Sequence, residues 1–267
     1  MLIDIGLNLT SKRFQEDRAE VVHRARNAGV GIMILTGTDI QHSQNAYNLT
    51  QRYPSVLFST SGMHPHHAKD WNAQAQLTLH TLSAHAEVVA IGECGLDFNR
   101  NFSPRKEQEY CFEAQLEMAV DTGLPVFLHE RDAHERFIQI LGRYRDRLSG
   151  AVVHCFTGSE SQLRAYLDMD CHIGITGWIC DTRRGLHMHD FINIIPGNRL
   201  LVETDAPYLL PSTVRAPHHQ KRNEPMYLPV VVDTLASIRG ETVKQLADAT
   251  TANAIEFFRL PVSTTIE

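Results

Sequence analysis

Four short apolar runs each stop at a side chain able to bind a metal. Val88-Val89-Ala90-Ile91 reaches Glu93 after one glycine, Pro125-Val126-Phe127-Leu128 stops at His129, Ala151-Val152-Val153 stops at His154, and the run from Arg199 to Thr204 stops at Asp205. Runs of this length, rich in β-branched residues, read as buried parallel strands. A carboxylate at the end of such a strand needs compensation, because an unpaired buried charge is too costly to keep. In a parallel α/β barrel all strand C-termini open onto one face, so the four side chains would converge there. Two imidazoles and two carboxylates at one place make a divalent-metal site. Ligand type alone leaves Zn²⁺, Mn²⁺ and Mg²⁺ open. The competing reading is a polar plug of histidine–carboxylate pairs closing the barrel end, yet nothing structural requires all four residues at strand ends.

The elements needed to position them succeed one another along the chain. Leu2 to Leu9 alternates like a first strand, Thr10-Ser11 can cap the first helix, and that helix runs through Glu20-Val21-Val22 and ends before Gly29. Further strands are expected at 31–36, 56–60, 88–91, 125–128, 151–153, 173–175 and 199–204. Helices are expected at 43–53, 77–86, from Pro104 onward, 132–148, 159–169 and in one or two segments after Val230. Eight strand runs alternating with helices predict a (β/α)8 TIM barrel, with residues 1–267 as a single domain. A doubly wound open sheet would call for a Gly-rich phosphate turn after an early strand, and Gly6-Leu7-Asn8 is not one.

The 267 residues are 43% hydrophobic and 21% charged, with no linker-like tract, composition shift or short repeat. The N-terminal stretch does not read as a signal peptide, and no segment approaches the roughly 18 apolar residues of a membrane span. The five cysteines are an odd count without C-x-x-C spacing and read as reduced thiols of a cytoplasmic protein. Cys94 and Cys155 directly follow Glu93 and His154, and strand alternation turns them away from the ligands as packing residues. The formal net charge of −6 argues against a duplex-wrapping protein. It does not exclude an enzyme gripping one strand end, where a metal and a few arginines supply local positive charge.

Taken as an ordered set, these motifs make the chain resemble the TatD-type metal-dependent deoxyribonucleases, a branch of the amidohydrolase-like barrels. The matching stretches are Gly62-Met63-His64-Pro65-His66, Ala90 to Asp97 with its continuation to Phe102, Pro125 to Ala133, His154-Cys155-Phe156-Thr157-Gly158, Glu203 to Leu209, and Arg222-Asn223-Glu224-Pro225. They span essentially the whole chain. The resemblance implies metal-dependent phosphodiester hydrolysis, with 3′-to-5′ exonuclease action on 3′ ends of single-stranded DNA or RNA. It also suggests Mg²⁺, with Mn²⁺ admissible, in a monomer without a membrane partner; DNA repair would be a fitting process.

One departure bears on the metal count. The family carries Asp-x-His-x-His on its first strand, where this chain reads Asp4-Ile5-Gly6-Leu7-Asn8. In the family those histidines, with the eighth-strand Asp, hold one of two metals. One metal is therefore expected here rather than two, held by Glu93, His129 and His154. Asp205 is then free to orient or deprotonate the attacking water, or to bind the metal directly. A bound cation would neutralise a phosphate oxygen and lower the pKa of its water.

Around that centre, His64 and His66 either contact the phosphate or brace a loop about Pro65. Arg131 is either a bidentate phosphate fork or a partner of Asp97, Asp132 or Glu135. Arg222 carries the same two readings, with Glu224 as a brace. Trp178 and Tyr208 could stack on a base or simply pack. Two rivals to the nuclease remain on sequence grounds. One is an amidohydrolase-like barrel acting on a small amide, lactone or nucleobase. The other is a barrel that has lost catalysis and binds a strand end or partner.

Overall fold

The computed structural model describes residues 1–214 and 221–261. Eight parallel strands form one sheet in chain order. They are β1 Leu2–Leu7, β2 Val30–Leu35, β3 Leu57–Ser61, β4 Val88–Asp97, β5 Val126–Arg131, β6 Ala151–Val153, β7 His172–Ile175 and β8 Leu200–Val202. Just past β8 the sheet meets its first strand: the Asp205 N–H donates to Gly6 O and the Asn8 N–H to Ala206 O, both at 2.8 Å. The architecture is the TIM barrel that the strand–helix alternation predicts.

Helices α1 Arg18–Asn27, α2 Ile40–Thr50, α3 Ala73–Ser83, α4 Arg105–Thr122, α5 His134–Gly142 and α6 Glu160–Asp168 follow the first six strands in turn. A short α7, Leu186–His189, lies among 3-10 turns between β7 and β8, and α8 Leu228–Arg239 and α9 Val243–Phe258 lie beyond β8 among the described residues. Local chemistry sets their ends. Asp39 and Asn72 cap α2 and α3, and Ser159 with Gln162 and Thr242 with Gln245 form capping boxes on α6 and α9. Gly123 and Gly240 terminate α4 and α8 with φ of 67° each.

Strand alternation sorts the core into two layers. Ile3, Ile5, Ile34, Phe58, Phe127, Val152 and Leu201 fill the barrel interior, where Ala254, Phe257 and Phe258 of α9 pack against them. Met33, Leu128, Val153 and Ile175 point outward into the layer shared with the helices, and Leu7 joins them because an irregularity in β1 after Asp4 breaks the parity set by Ile3 and Ile5. Cys94 lies in that outer layer, as its place beside Glu93 predicts. All five cysteines are unpaired, and no helix among the described residues is long and apolar enough to cross a membrane.

Several boundaries differ from the sequence expectations. Ser11 caps a 3-10 turn at Lys12–Phe14 rather than the first helix, which starts only after Asp17. The helix expected over 132–148 ends at Gly142 and gives way to a 3-10 turn at Arg145–Arg147. Pro104 is the residue before α4, not its first helical position. The change that matters for the site is in β4 and β5. Both run past the apolar stretches, so Glu93 to Asp97 and His129 to Arg131 lie within paired strands instead of in loops.

Candidate metal centre

The extension of β4 depends on two glycines. Gly92 (φ 136°) and Gly95 (φ 142°) occupy backbone regions that side chains rarely tolerate. A Cβ on Gly92 would lie 2.2 Å from Phe127 O, and one on Gly95 would lie 1.9 Å from His129 O. Both glycines therefore let β4 and β5 approach closely, with the register shift between Gly92 and Cys94 that brings Glu93 beside His129. This is why glycines bracket the carboxylate.

Glu93 is buried, and one of its oxygens is crowded by imidazoles. Oε1 lies 2.9 Å from His129 Nδ1, 2.9 Å from His154 Nε2 and 3.3 Å from His64 Nε2. A single carboxylate oxygen has two lone pairs, so three rings oversubscribe it. The buried Nε2 of His129 has no hydrogen-bond partner and stands 3.8 Å from Asp97 Oδ2. An orphaned imidazole nitrogen beside an overloaded carboxylate fits a cation that would relieve both. His64, Glu93 and His129 each offer a ligand atom within 4.8 Å of the others, which makes them a possible metal site. His64, read from sequence as either a phosphate contact or a loop brace, thus belongs to this group, while His154, expected as a ligand, bonds Glu93 but is not one of the three.

Charge is finely balanced here. Burial pushes the Glu93 carboxyl up, but the facing His154, His64 and His129 outweigh it and hold Glu93 well below the usual range. Burial works against charge on His154, yet the carboxylates of Glu93 and Glu203 raise it well above an ordinary imidazole. His129 is likewise raised against its own desolvation by Asp97 and Glu93. For His64 desolvation wins over Glu93, and its pKa falls to about 4.

Asp205 sits half-buried at the end of β8 in the left-handed region, φ 52°. The Asn8 side-chain amide donates to its Oδ1 at 2.9 Å. Burial, against the attraction of His154, lifts its pKa to about 8. His66 donates from Nε2 to Asp97 Oδ2 at 2.6 Å, and its ring stands 4.2 Å from that of His64. Arg131 is exposed at the end of β5.

Arg222 is placed differently. Its guanidinium donates to both oxygens of Asp17 (2.8 and 2.7 Å), to Glu224 Oε1 (2.6 Å) and to Arg13 O (2.7 Å), with its charge over the Phe14 ring. Of its two sequence readings, the ionic brace is the one this geometry matches. Trp178 is also occupied, since Arg184 lies 4.4 Å over its ring and its indole N–H donates to Arg184 O. Cys155 departs from a plain packing role: it is half-buried, with φ 48° and its thiol 3.8 Å from Thr176 Oγ1.

Two further residues belong to the centre: Glu203, which carries no reading from sequence, and Asp97, expected only as a possible partner of Arg131. Glu203 is fully buried, accepting from Cys155 N–H at 2.5 Å and from His154 Nδ1 at 3.3 Å. A Cβ on Gly6 would lie 2.2 Å from its Oε2, so the Glu203 carboxylate fills the space beside the position where the family pattern carries its first-strand histidine. Asp97 is buried and aligns His66 next to His129. Glu203 is the first charge after the apolar run Leu200-Leu201-Val202, the same kind of signal that Asp205 gives two residues on.

A barrel with this cluster at its strand ends is a hydrolase scaffold. Solved structures agree on the fold: dihydroorotase from Campylobacter jejuni superposes with a TM-score of 0.61 at 12% identity, covering 98% of this chain and 84% of that one. Nearer in sequence is YjjV, a TatD homolog from Escherichia coli K12, with a TM-score of 0.88 and 29% identity over 97% of this chain and 98% of that one. The family model "TatD related DNase" matches residues 3–259, and the chain belongs to that family of nucleases. It is 51% identical over 259 residues to the 3′-5′ ssDNA/RNA exonuclease TatD of Pantoea vagans, covering 97% of this chain and 100% of that protein. The protein of the same name from Salmonella typhimurium is 50% identical over 259 residues, covering 97% of this chain and 99% of the relative.

Proposed function

We propose that this chain is a 3′-to-5′ exonuclease of single-stranded DNA and RNA that acts with one divalent cation, Mg²⁺ or Mn²⁺, as a cytoplasmic monomer. The observation that carries the reading is the crowding of three imidazoles on Glu93 Oε1 beside the partnerless His129 Nε2, next to a carboxyl poised near neutrality. The names borne by the relatives from Pantoea vagans and Salmonella typhimurium support the substrate and polarity.

Glu93, His129 and His64 would hold the cation, with His154 bonded to the same Glu93 oxygen. When bound, a divalent cation supplies charge neutralisation at a phosphoryl oxygen and eases deprotonation of water. Glu203 fixes the His154 ring through Nδ1, and Asp97 and Glu93 flank His129, so each imidazole is oriented before substrate arrives. Asp205 is the general base. Asn8 ties down one of its oxygens and burial raises its proton affinity, which suits a group that must accept a proton near neutral pH. Arg131 and His66 meet the strand's phosphates at the rim. The absence of first-strand histidines, with Glu203 in the adjoining space, favours one cation over two.

The test is a 5′-labelled single strand of DNA or RNA incubated with Mg²⁺, Mn²⁺ or Zn²⁺. Stepwise shortening from the 3′ end is expected, abolished in Glu93→Ala and His154→Ala and by excess chelator. Trimming that survives both substitutions would refute the assignment, and cleavage only of a small amide or lactone would favour the amidohydrolase alternative.

A further inference from the structure

The geometry points to Phe102 as a stacking platform for the base of a nucleotide flanking the scissile phosphodiester. Phe102 lies between β4 and α4 on the metal side of the barrel and is 55% exposed. The ring's aromatic neighbour belongs to the site: Phe102 meets His66 edge-on at 4.7 Å between centroids. From there the rings run His66 to His64 at 4.2 Å and His64 to His129 at 4.4 Å, directly into the candidate metal centre.

The loop that displays Phe102 is tied down on both sides. Asp97 Oδ1 accepts from the N–H groups of Asn99 (2.9 Å) and Arg100 (2.8 Å), and the Asn101 amide donates to Phe98 O at 2.6 Å. Beyond the ring, the buried Ser103 hydroxyl donates to His66 O at 2.9 Å and accepts from Lys69 N–H at 3.0 Å, while Gln108 Nε2 donates to Ser103 O at 2.9 Å. One carboxylate, Asp97, thus anchors the loop through Oδ1 and holds His66 through Oδ2. The platform and the centre share a support, which fixes their separation. Lys69 and Arg100, both exposed and tied into the same loop framework, can follow a strand's phosphates. An exposed aromatic face on a loop framework that also carries cationic residues matches an unpaired nucleobase of any identity, because every base has a π-face. Of the two aromatics singled out in the sequence, Trp178 has one face covered by Arg184.

The proposal rests on the single-strand reading above, and binding and cleavage are measured separately to keep the two apart. Cleavage-resistant strands carry 2-aminopurine at the last or the penultimate position, and binding to the Mg²⁺-loaded protein is followed by fluorescence quenching. Quenching at one of these positions is expected for the native protein and for Phe102→Trp, and its loss for Phe102→Ala. In cleavage assays Phe102→Ala should raise KM about tenfold with a much smaller change in kcat. An abasic residue at the same position should raise the native KM similarly but add little to that of Phe102→Ala. Tyr110→Ala, which removes an exposed aromatic from α4, serves as the control with unchanged KM. Quenching that persists in Phe102→Ala, or an abasic penalty undiminished in it, overturns the platform even where exonuclease action is intact. Phe102-dependent quenching without 3′ trimming keeps the platform and defeats the exonuclease reading. Absence of strand binding by the native protein defeats both.

Discussion

At the scale of single residues, the centre holds protons where a cation would hold charge. Glu93, Asp97 and Glu203 raise His129 and His154 above an ordinary imidazole, so in the metal-free protein both rings hold a proton more tightly than a free imidazole does. A metal needs the neutral ring, and its binding must therefore expel protons. The sign is fixed by that competition. Raising pH empties the raised imidazoles, removes the competing protons and tightens the metal. Mg²⁺ and Mn²⁺ affinity should accordingly keep climbing as pH rises past the ordinary imidazole value of about 6.5, by about tenfold per unit for each proton displaced. Titration calorimetry in two buffers of different ionisation enthalpy reads the protons released. No release at about pH 6.5, the ordinary imidazole value, would show that the rings are already neutral. The same scale explains what the sequence hid: Glu93, His129, His154 and Asp205 announce themselves at the ends of apolar runs. His64 lies in a loop whose joining to β4 no local pattern reveals, and the role of Glu203 depends on the void at Gly6, 197 positions away.

Among the elements, sequence periodicity locates strands and helices well and their ends less well. Apolar runs mark where strands are buried, but β4 and β5 continue into polar residues because Gly92 and Gly95 keep them in contact, a pairing effect visible only in three dimensions. Arg222 is a second such case. Beside Asn223-Glu224-Pro225 it could have faced a phosphate, yet it joins α1 to the segment leading into α8 through a closed set of pairs: Arg222 and Arg24 each bind both Asp17 and Glu224. Asp17 is about one-third exposed, so screening weakens its share, whereas Glu224 is nearly buried. Arg222→Ala should cost about 1–2 kcal/mol at pH 7, most of it from Glu224 losing a partner. The Arg222 hydrogen bond holds the Asp17 carboxyl well below its ordinary value. A depressed acid stabilises the fold above its unfolded pKa and loses that contribution as pH falls through the folded one. The difference between native and variant should therefore shrink below about pH 4. Urea denaturation at about pH 7 and about pH 3, on either side of the ordinary carboxyl value, measures it. A cost that stays constant across that range would mean the arginine acts by packing on Phe14 instead.

For the whole molecule, the net charge of −6 constrains how a polyanion is held. An acidic barrel draws in no strand by its overall field, so attraction has to come from the centre itself and from exposed side chains at its rim, Lys69, Arg100 and Arg131. Such a site engages roughly two or three phosphates, and each neutralised phosphate of a single strand contributes about −0.7 to the slope of log affinity against log salt. The expected slope is then only about −1.5 to −2, far shallower than for a protein tracking a long stretch of backbone. Raising KCl from about 50 to about 200 mM should weaken binding of a short single strand by about eightfold to sixteenfold. Much of the remaining affinity would come from stacking and from the cation, which salt screens less. Arg131→Ala should reduce the slope by about 0.7 with the strand sequence irrelevant, as befits a phosphate contact. Fluorescence anisotropy across the salt series decides the matter. A slope of about −5 or steeper would demand a phosphate path far longer than this rim provides and would place the strand on a surface other than the end of the barrel.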